Sequence, residues 1–151
     1  MTKKTKRCDS SHPDFIDLVD LLNNDLKLRD GEDFSFYNQF NGIQSIKHAV
    51  ICYGNEVPMG CGAIKEFDAR TMEVKRMYTR SSYRRSGVSS LILKELEIWG
   101  KEMQMDRLVL ETGKNQPEAI ELYLKYGFHR IPNYGQYIGV ENSLCFEKRL
   151  I

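Results

Sequence analysis

Along residues 87–103, apolar side chains return at three- and four-residue steps: Val88, Leu91, Ile92, Leu96, Trp99 and Met103, with Lys94, Glu97 and Lys101 between them. That spacing predicts an amphipathic helix with one buried stripe and a wet face. Immediately before it, residues 72–79 (MEVKRMYT) carry the β-branched and apolar content of a strand, and residues 80–86 break the pattern with polar and cationic side chains. Gly87 opens the helix. A glycine there lets backbone come close to a ligand, and the unpaired N–H groups of the first turn attract phosphate oxygens. Strand, basic turn and helix therefore form an anion cradle.

Residues 2–8 read as a first edge strand. Ser11 as cap, with Pro13 and Asp14 behind it, starts a helix whose stripe is Phe15, Leu18, Val19, Leu22 and Leu26, and Gly31 is its stop. Residues 32–46 are rich in aromatics (Phe34, Phe36, Tyr37, Phe40) without clean periodicity, so they read either as core cover or as the wall of a substrate pocket. Three strands come next, at 48–53, 59–66 and 72–79, joined by turns at 54–56 and 68–71, which makes them antiparallel neighbours. After the long helix comes a short apolar strand at 108–112 (LVLET), and a right-handed crossover sets it parallel to the strand at 72–79. Asn115 and Glu118 have capping-box spacing ahead of a second helix over 115–126, with Ala119, Leu122, Tyr123 and Tyr126 on its buried face and Gly127 as its left-handed stop. Strands at 128–131 and 143–150 close the sheet. The whole is one mixed α/β domain over residues 1–151.

Composition narrows what the cradle can serve. The 151 residues include 22 Lys+Arg and 21 Asp+Glu, a net charge of +1, so no bulk field draws the chain to nucleic acid or to an anionic membrane. Residues 1–7 are basic, but the polar 9–14 stand where a signal peptide needs an apolar run, and no segment has the length and hydropathy of a membrane span. Cys8, Cys52, Cys61 and Cys145 are scattered, without a C-x-x-C pair, and only three histidines accompany them. They read as reduced thiols of a cytoplasmic protein that binds no metal. The glycine loop lacks both G-x-G-x-x-G and a P-loop Lys-Ser/Thr.

The sequence Arg84-Arg85-Ser86-Gly87-Val88-Ser89 resembles the Gln/Arg-x-x-Gly-x-Gly/Ala loop of the GNAT superfamily of N-acetyltransferases, except at Ser89. Asn115, Ala119, Tyr123, Gly127 and Phe128 match that family's second signature. The resemblance implies a GNAT-like fold: a mixed central sheet with an antiparallel N-terminal meander and then a parallel βαβ unit, strands four and five splayed apart, and helices on both faces. It also implies acetyl-CoA as co-substrate and direct attack by a primary amine in a ternary complex, and Glu32, Asp33, the aromatics at 34–40 and the Tyr134/Tyr137 loop point to a small-molecule or amino-acid-like acceptor. A protein or peptide acceptor is the alternative within that chemistry, and a homodimer is compatible with it.

The same resemblance distributes the roles. The cofactor pyrophosphate would meet the backbone of Arg85, Ser86, Gly87, Val88 and Ser89, with the Arg84 and Arg85 side chains near the phosphates. The pantetheine arm would pair with main-chain groups of Met77, Tyr78 and Thr79, and Asn115 would touch the cofactor from the other side. Glu73 would be the general base, with Glu111 as rival, and Tyr123 the acid that protonates the leaving thiolate. Ser89 leaves a second reading, an acetyl-CoA-binding sensor without catalysis.

Overall fold

The computed structural model describes residues 2–30 and 45–151. Its core is a seven-stranded sheet in the order β1-β2-β3-β4-β5-β7-β6. The strands are β1 Lys3–Cys8, β2 His48–Gly54, β3 Val57–Asp68, β4 Thr71–Thr79, β5 Arg107–Gly113, β6 His129–Ile131 and β7 Ser143–Arg149; the helices are α1 Pro13–Asp30, α2 Val88–Glu102 and α3 Pro117–Lys125. The expected meander and βαβ unit are both present. Glu32, Asp33, Phe34, Phe36, Tyr37, Phe40 and the Gly31 stop lie outside the described residues.

Alternation along the strands divides the core between the faces. Val50, Cys52, Met59 and Ile64 point to the side covered by α2, where they meet Val88, Ile92, Leu93 and Leu96. Ala49, Ile51, Cys61 and Ala63 point to the other side, against Phe15, Leu18 and Val19 of α1. Helices thus cover both faces, and α3 shares the α2 side through Tyr123. The buried stripe of α2 is rotated from the expected one. Leu93 is buried, whereas Leu91 is 37% exposed. At about 100° per residue, Leu91 lies about 130° from the centre of the stripe and Leu93 only about 70°. Glu97 is half-buried rather than free in water, paired with Lys148 at 2.9 Å.

The connections arise from local backbone chemistry. Asn55 and Glu56, at φ 50° and 67°, make the two-residue turn that joins β2 to β3. Helix α3 ends in a Schellman motif: Phe128 N–H donates to Tyr123 C=O at 3.0 Å, Gly127 N–H donates to Leu124 C=O at 3.3 Å, and Gly127 has φ 92°. The expected helix starts are corrected. Ser11 donates its N–H and hydroxyl to Asp9, and the first turn of α1 is met instead by His12 Nδ1, which accepts Asp14 N–H at 3.1 Å. In α3 the cap is Gln116 rather than Asn115, and its side chain makes no capping hydrogen bond. Pro117 occupies the first turn and shifts the start by one residue.

Two features of β4 shape the site. It pairs with β5 only at Thr71–Arg107, Met72–Leu108 and Glu73–Val109, after which the strands part into a wedge. Its pairing with β3 slips between Cys61–Tyr78 and Ala63–Lys75, so that Arg76 and Met77 together oppose Gly62. Arg76 sits at φ 58°, the extra residue of a β-bulge. Gly62 permits this. A Cβ there would overlap Met77 Sδ and come within 2.8 Å of Ile92.

Candidate active site

The wedge opens into a cleft of about 690 Å³. Its floor is β4 from Glu73 to Thr79, its far wall is Glu111, Thr112 and Gly113 of β5, and α1, α2 and α3 contribute Leu22 and Asp25, Val88 and Ser89, and Ala119 and Tyr123.

At one end lies the glycine turn. After a 3-10 turn at Ser81–Tyr83, Arg85 at φ 63° and Gly87 at φ 87° fold the backbone back so that α2 begins at the cleft. Gly87 is the cap rather than the first helical residue, and no side chain caps the helix. The first backbone bond within α2 is Leu91 N–H to Gly87 C=O at 3.1 Å. That leaves the donors of Val88, Ser89 and Ser90, residues that line the cleft, available to an anion. A Cβ at Gly87 would meet no protein atom within 4 Å, so its side of the turn faces open space.

Several side chains around this turn are held by protein partners. Arg84 folds back onto its own strand, donating to Thr79 C=O at 3.1 Å and approaching Asp25 at 3.6 Å. The Ser89 hydroxyl bonds Thr79 Oγ1 at 2.7 Å, tying α2 to the end of β4. Arg84, Arg85, Gly87, Val88 and Ser89 line the cleft together with Met77, Tyr78 and Thr79. Ser86 is turned to Tyr83 C=O instead, and the wall near Asn115 is formed by Gly113 and Gln116.

At the other end, on the α1 side, polar groups are packed into the sheet. Glu73 is 6% exposed, and one of its oxygens accepts the Tyr134 hydroxyl while the other lies 3.5 Å from Lys75 Nζ. Lys75 donates to the Tyr137 hydroxyl at 3.3 Å. Burial, and then the charge of Glu73, pushes the Tyr134 phenol far above its ordinary pKa, so it is a donor at every physiological pH. The loop carrying both tyrosines is pinned by Asn133, whose Nδ2 lies 3.1 Å from the carbonyls of Tyr137, Val140 and Ser143. Neither the bulge nor this lysine–glutamate–tyrosine cluster was foreseen from the sequence. Its signal was there in Lys75 and Arg76, two cations inside a strand with buried neighbours.

Tyr123 enters from the opposite side of the sheet. Its ring packs against Phe128 at 5.6 Å and Phe146 at 6.5 Å, and it lines the cleft. Burial first and the charge of Glu111 second raise its pKa, which keeps the hydroxyl protonated. The structure therefore brings Glu73, Glu111 and Tyr123 to one cleft, with the uncapped helix at its end. Among the described residues no cluster has the side chains to hold a metal, and no helix is long and apolar enough to cross a membrane.

Comparison with known proteins agrees with this architecture. The model of the acetyltransferase (GNAT) family matches residues 15–128. Over 93 residues the chain is 36% identical to the uncharacterized N-acetyltransferase YsnE of Bacillus subtilis, covering 60% of this chain and 62% of that protein. The chain spans less than two thirds of the length of the curated relatives it matches. A solved protein of Klebsiella pneumoniae shares the fold with a TM-score of 0.82 at 22% identity over 99% of both chains. The PaiA N-acetyltransferase of Thermoplasma acidophilum, solved with coenzyme A, does so with a TM-score of 0.73 at 17% identity, again over 99% of both.

Proposed function

This chain belongs to the GNAT acetyltransferase family, and from that premise we propose that it moves the acetyl group of acetyl-CoA to a primary amine of a small, amino-acid-like acceptor. The observation that carries the proposal is the shared cleft: an uncapped helix N-terminus at one end, a splayed strand along the floor, and a buried carboxylate and a buried phenol facing in from opposite sides of the sheet.

The residues present fit acetyl-CoA. The donors of Val88 and Ser89 and the open space beside Gly87 suit a pyrophosphate, with Arg85 adding charge at the rim. The edge of β4 that β5 leaves unpaired beyond Glu73 suits an extended arm bonded through the main chain of Met77, Tyr78 and Thr79. Arg84 acts indirectly in this scheme, holding the end of β4 through Thr79 C=O.

Transfer needs an unprotonated amine. An alkyl ammonium of pKa about 10.4 is neutral about once in two thousand at pH 7, a cost of roughly 4–5 kcal/mol. Glu73 takes that proton, either directly or through a water, and Lys75 and Tyr134 keep its carboxylate oriented. The amine nitrogen then bonds the acetyl carbon, a main-chain N–H at Met77 or Tyr78 stabilises the oxyanion, and the carbon–sulfur bond breaks. The departing thiolate receives the Tyr123 proton. Glu111, on the wall across the wedge, raises the pKa of Tyr123 and is the rival base.

Titration calorimetry with acetyl-CoA, followed by thiol release against a panel of amines, amino acids and peptides, tests the proposal. Binding together with amine-dependent release supports it. Binding without release favours the sensor, and absence of binding overturns the cradle.

A further inference from the structure

Arg76 is the group this scheme leaves without work. The bulge turns it out of register: in a regular β4 the residue after Lys75 would face α2, as Met77 does. Instead Arg76 emerges on the α1 side, where one guanidinium nitrogen donates to Asn23 Oδ1. The residue is 6% exposed, and it lines the cleft. Among the described residues its Nε has no hydrogen-bond partner and no carboxylate pairs with it. The neighbouring cation is different, because Lys75 has Glu73 at 3.5 Å. Desolvation by burial lowers the pKa of Arg76.

A buried guanidinium with one side satisfied by a neutral amide and an Nε without a partner is poorly compensated. Its fork geometry matches a carboxylate. Arg76 follows Glu73 by three residues, at most about 10 Å between Cα atoms at the full strand rise, and the bulge puts the two on the same face. That leaves room for an anionic group, a short carbon spine and the reacting amine. The glycine turn lies beyond Thr79, so the phosphate-binding donors are at the other end of the floor.

We infer that Arg76 is the acceptor-recognition residue, and that the acceptor is an amine that also bears a carboxylate held by its guanidinium. This deepens the acetyltransferase reading and rests on it. Lys75 and Glu73 neutralise one another, which leaves Arg76 as the cation next to them that no carboxylate of the described residues pairs. The bulge is then a specificity device as well as a bend in the strand.

The test pairs each of a set of α-amino acids with its carboxamide and its decarboxylated amine, and measures thiol release by the full-length protein. A charge-assisted bond at a buried site predicts that the carboxylate raises kcat/KM by about 10- to 100-fold. Arg76→Gln should bring the acids down to the level of the amides, and Arg76→Lys should keep part of the preference, with acetyl-CoA affinity unchanged in both. Equal turnover of acids and amides by the natural protein overturns the inference while leaving the transferase reading intact. So does an equal loss on both in Arg76→Gln, or a matching loss of acetyl-CoA affinity. If no acceptor releases thiol, the transferase reading fails by itself. Calorimetric titration of N-acetyl amino acids into the coenzyme A complex then decides the inference: binding abolished by Arg76→Gln and retained in part by Arg76→Lys sustains it, and no binding ends it.

Discussion

Tyr123 packs against Phe128 and Phe146 while lining the cleft, so Tyr123→Phe removes one oxygen and little packing. If that oxygen supplies the proton to the thiolate, kcat should fall by about 10²-fold or more while acetyl-CoA affinity stays the same. Unchanged turnover, with chemistry limiting, would remove Tyr123 from the mechanism. Glu73→Gln should cut the rate comparably, and a larger loss in Glu111→Gln would move the base across the wedge. The cysteines make a separate residue-scale prediction. Burial pushes the thiols of Cys8 and Cys145 up to about 11 and that of Cys61 to about 12. A raised folded-state pKa favours the native protein only while the thiol stays protonated. That contribution is complete below about pH 9, the ordinary thiol value, and is lost as pH rises towards 12. Urea midpoints measured from pH 8 to 11 should therefore decline, and Cys61→Ser should flatten part of the decline. Tyr123, Glu73 and Gly87 stand out in the sequence by their place in the family-like motifs, and the structure brings all three to one cleft. Lys75 and Arg76 were visible only as two cations inside a strand, because nothing in VKRM announces which residue is bulged or which face it takes.

Elements decide what backbone can do. Gly87 caps α2 at φ 87° with open space where a Cβ would go. Gly87→Val is therefore strained rather than clashing, costs about 1–2 kcal/mol of stability, and should leave a folded protein with much weaker acetyl-CoA binding, as calorimetry and a thermal melt together would show. Full affinity in that variant would contradict the cradle. The helix itself was legible because a 3.6-residue period survives any tertiary arrangement. Its rotation was not: Leu93 and Leu91 differ in burial because the sheet below, rather than the helix, chooses the centre of the stripe. The cap of α3 likewise falls at Gln116, one residue beyond the Asn115 that the spacing predicts, with Pro117 in the first turn.

For the whole molecule, the decisive feature is that β4 and β5 pair over three residues and then part. The amides of Met77 to Thr79 that face the wedge should exchange rapidly with deuterium in the free protein and become protected with acetyl-CoA. The melting temperature should rise with ligand, by an amount equivalent to about 2.7 kcal/mol at a hundred times Kd. Exchange that does not respond to ligand would mean that the arm does not pair with β4. Element order, the meander, the parallel crossover and the glycine turn were determined by the sequence alone, because period, turn residues and chain connectivity are local properties. Only the tertiary structure decided where β4 and β5 separate, that Arg76 turns to the α1 side, that Glu73 is held by Lys75 and Tyr134, and that Ser89 bonds Thr79. Each of these depends on register and on packing between segments distant in sequence, which no local pattern encodes.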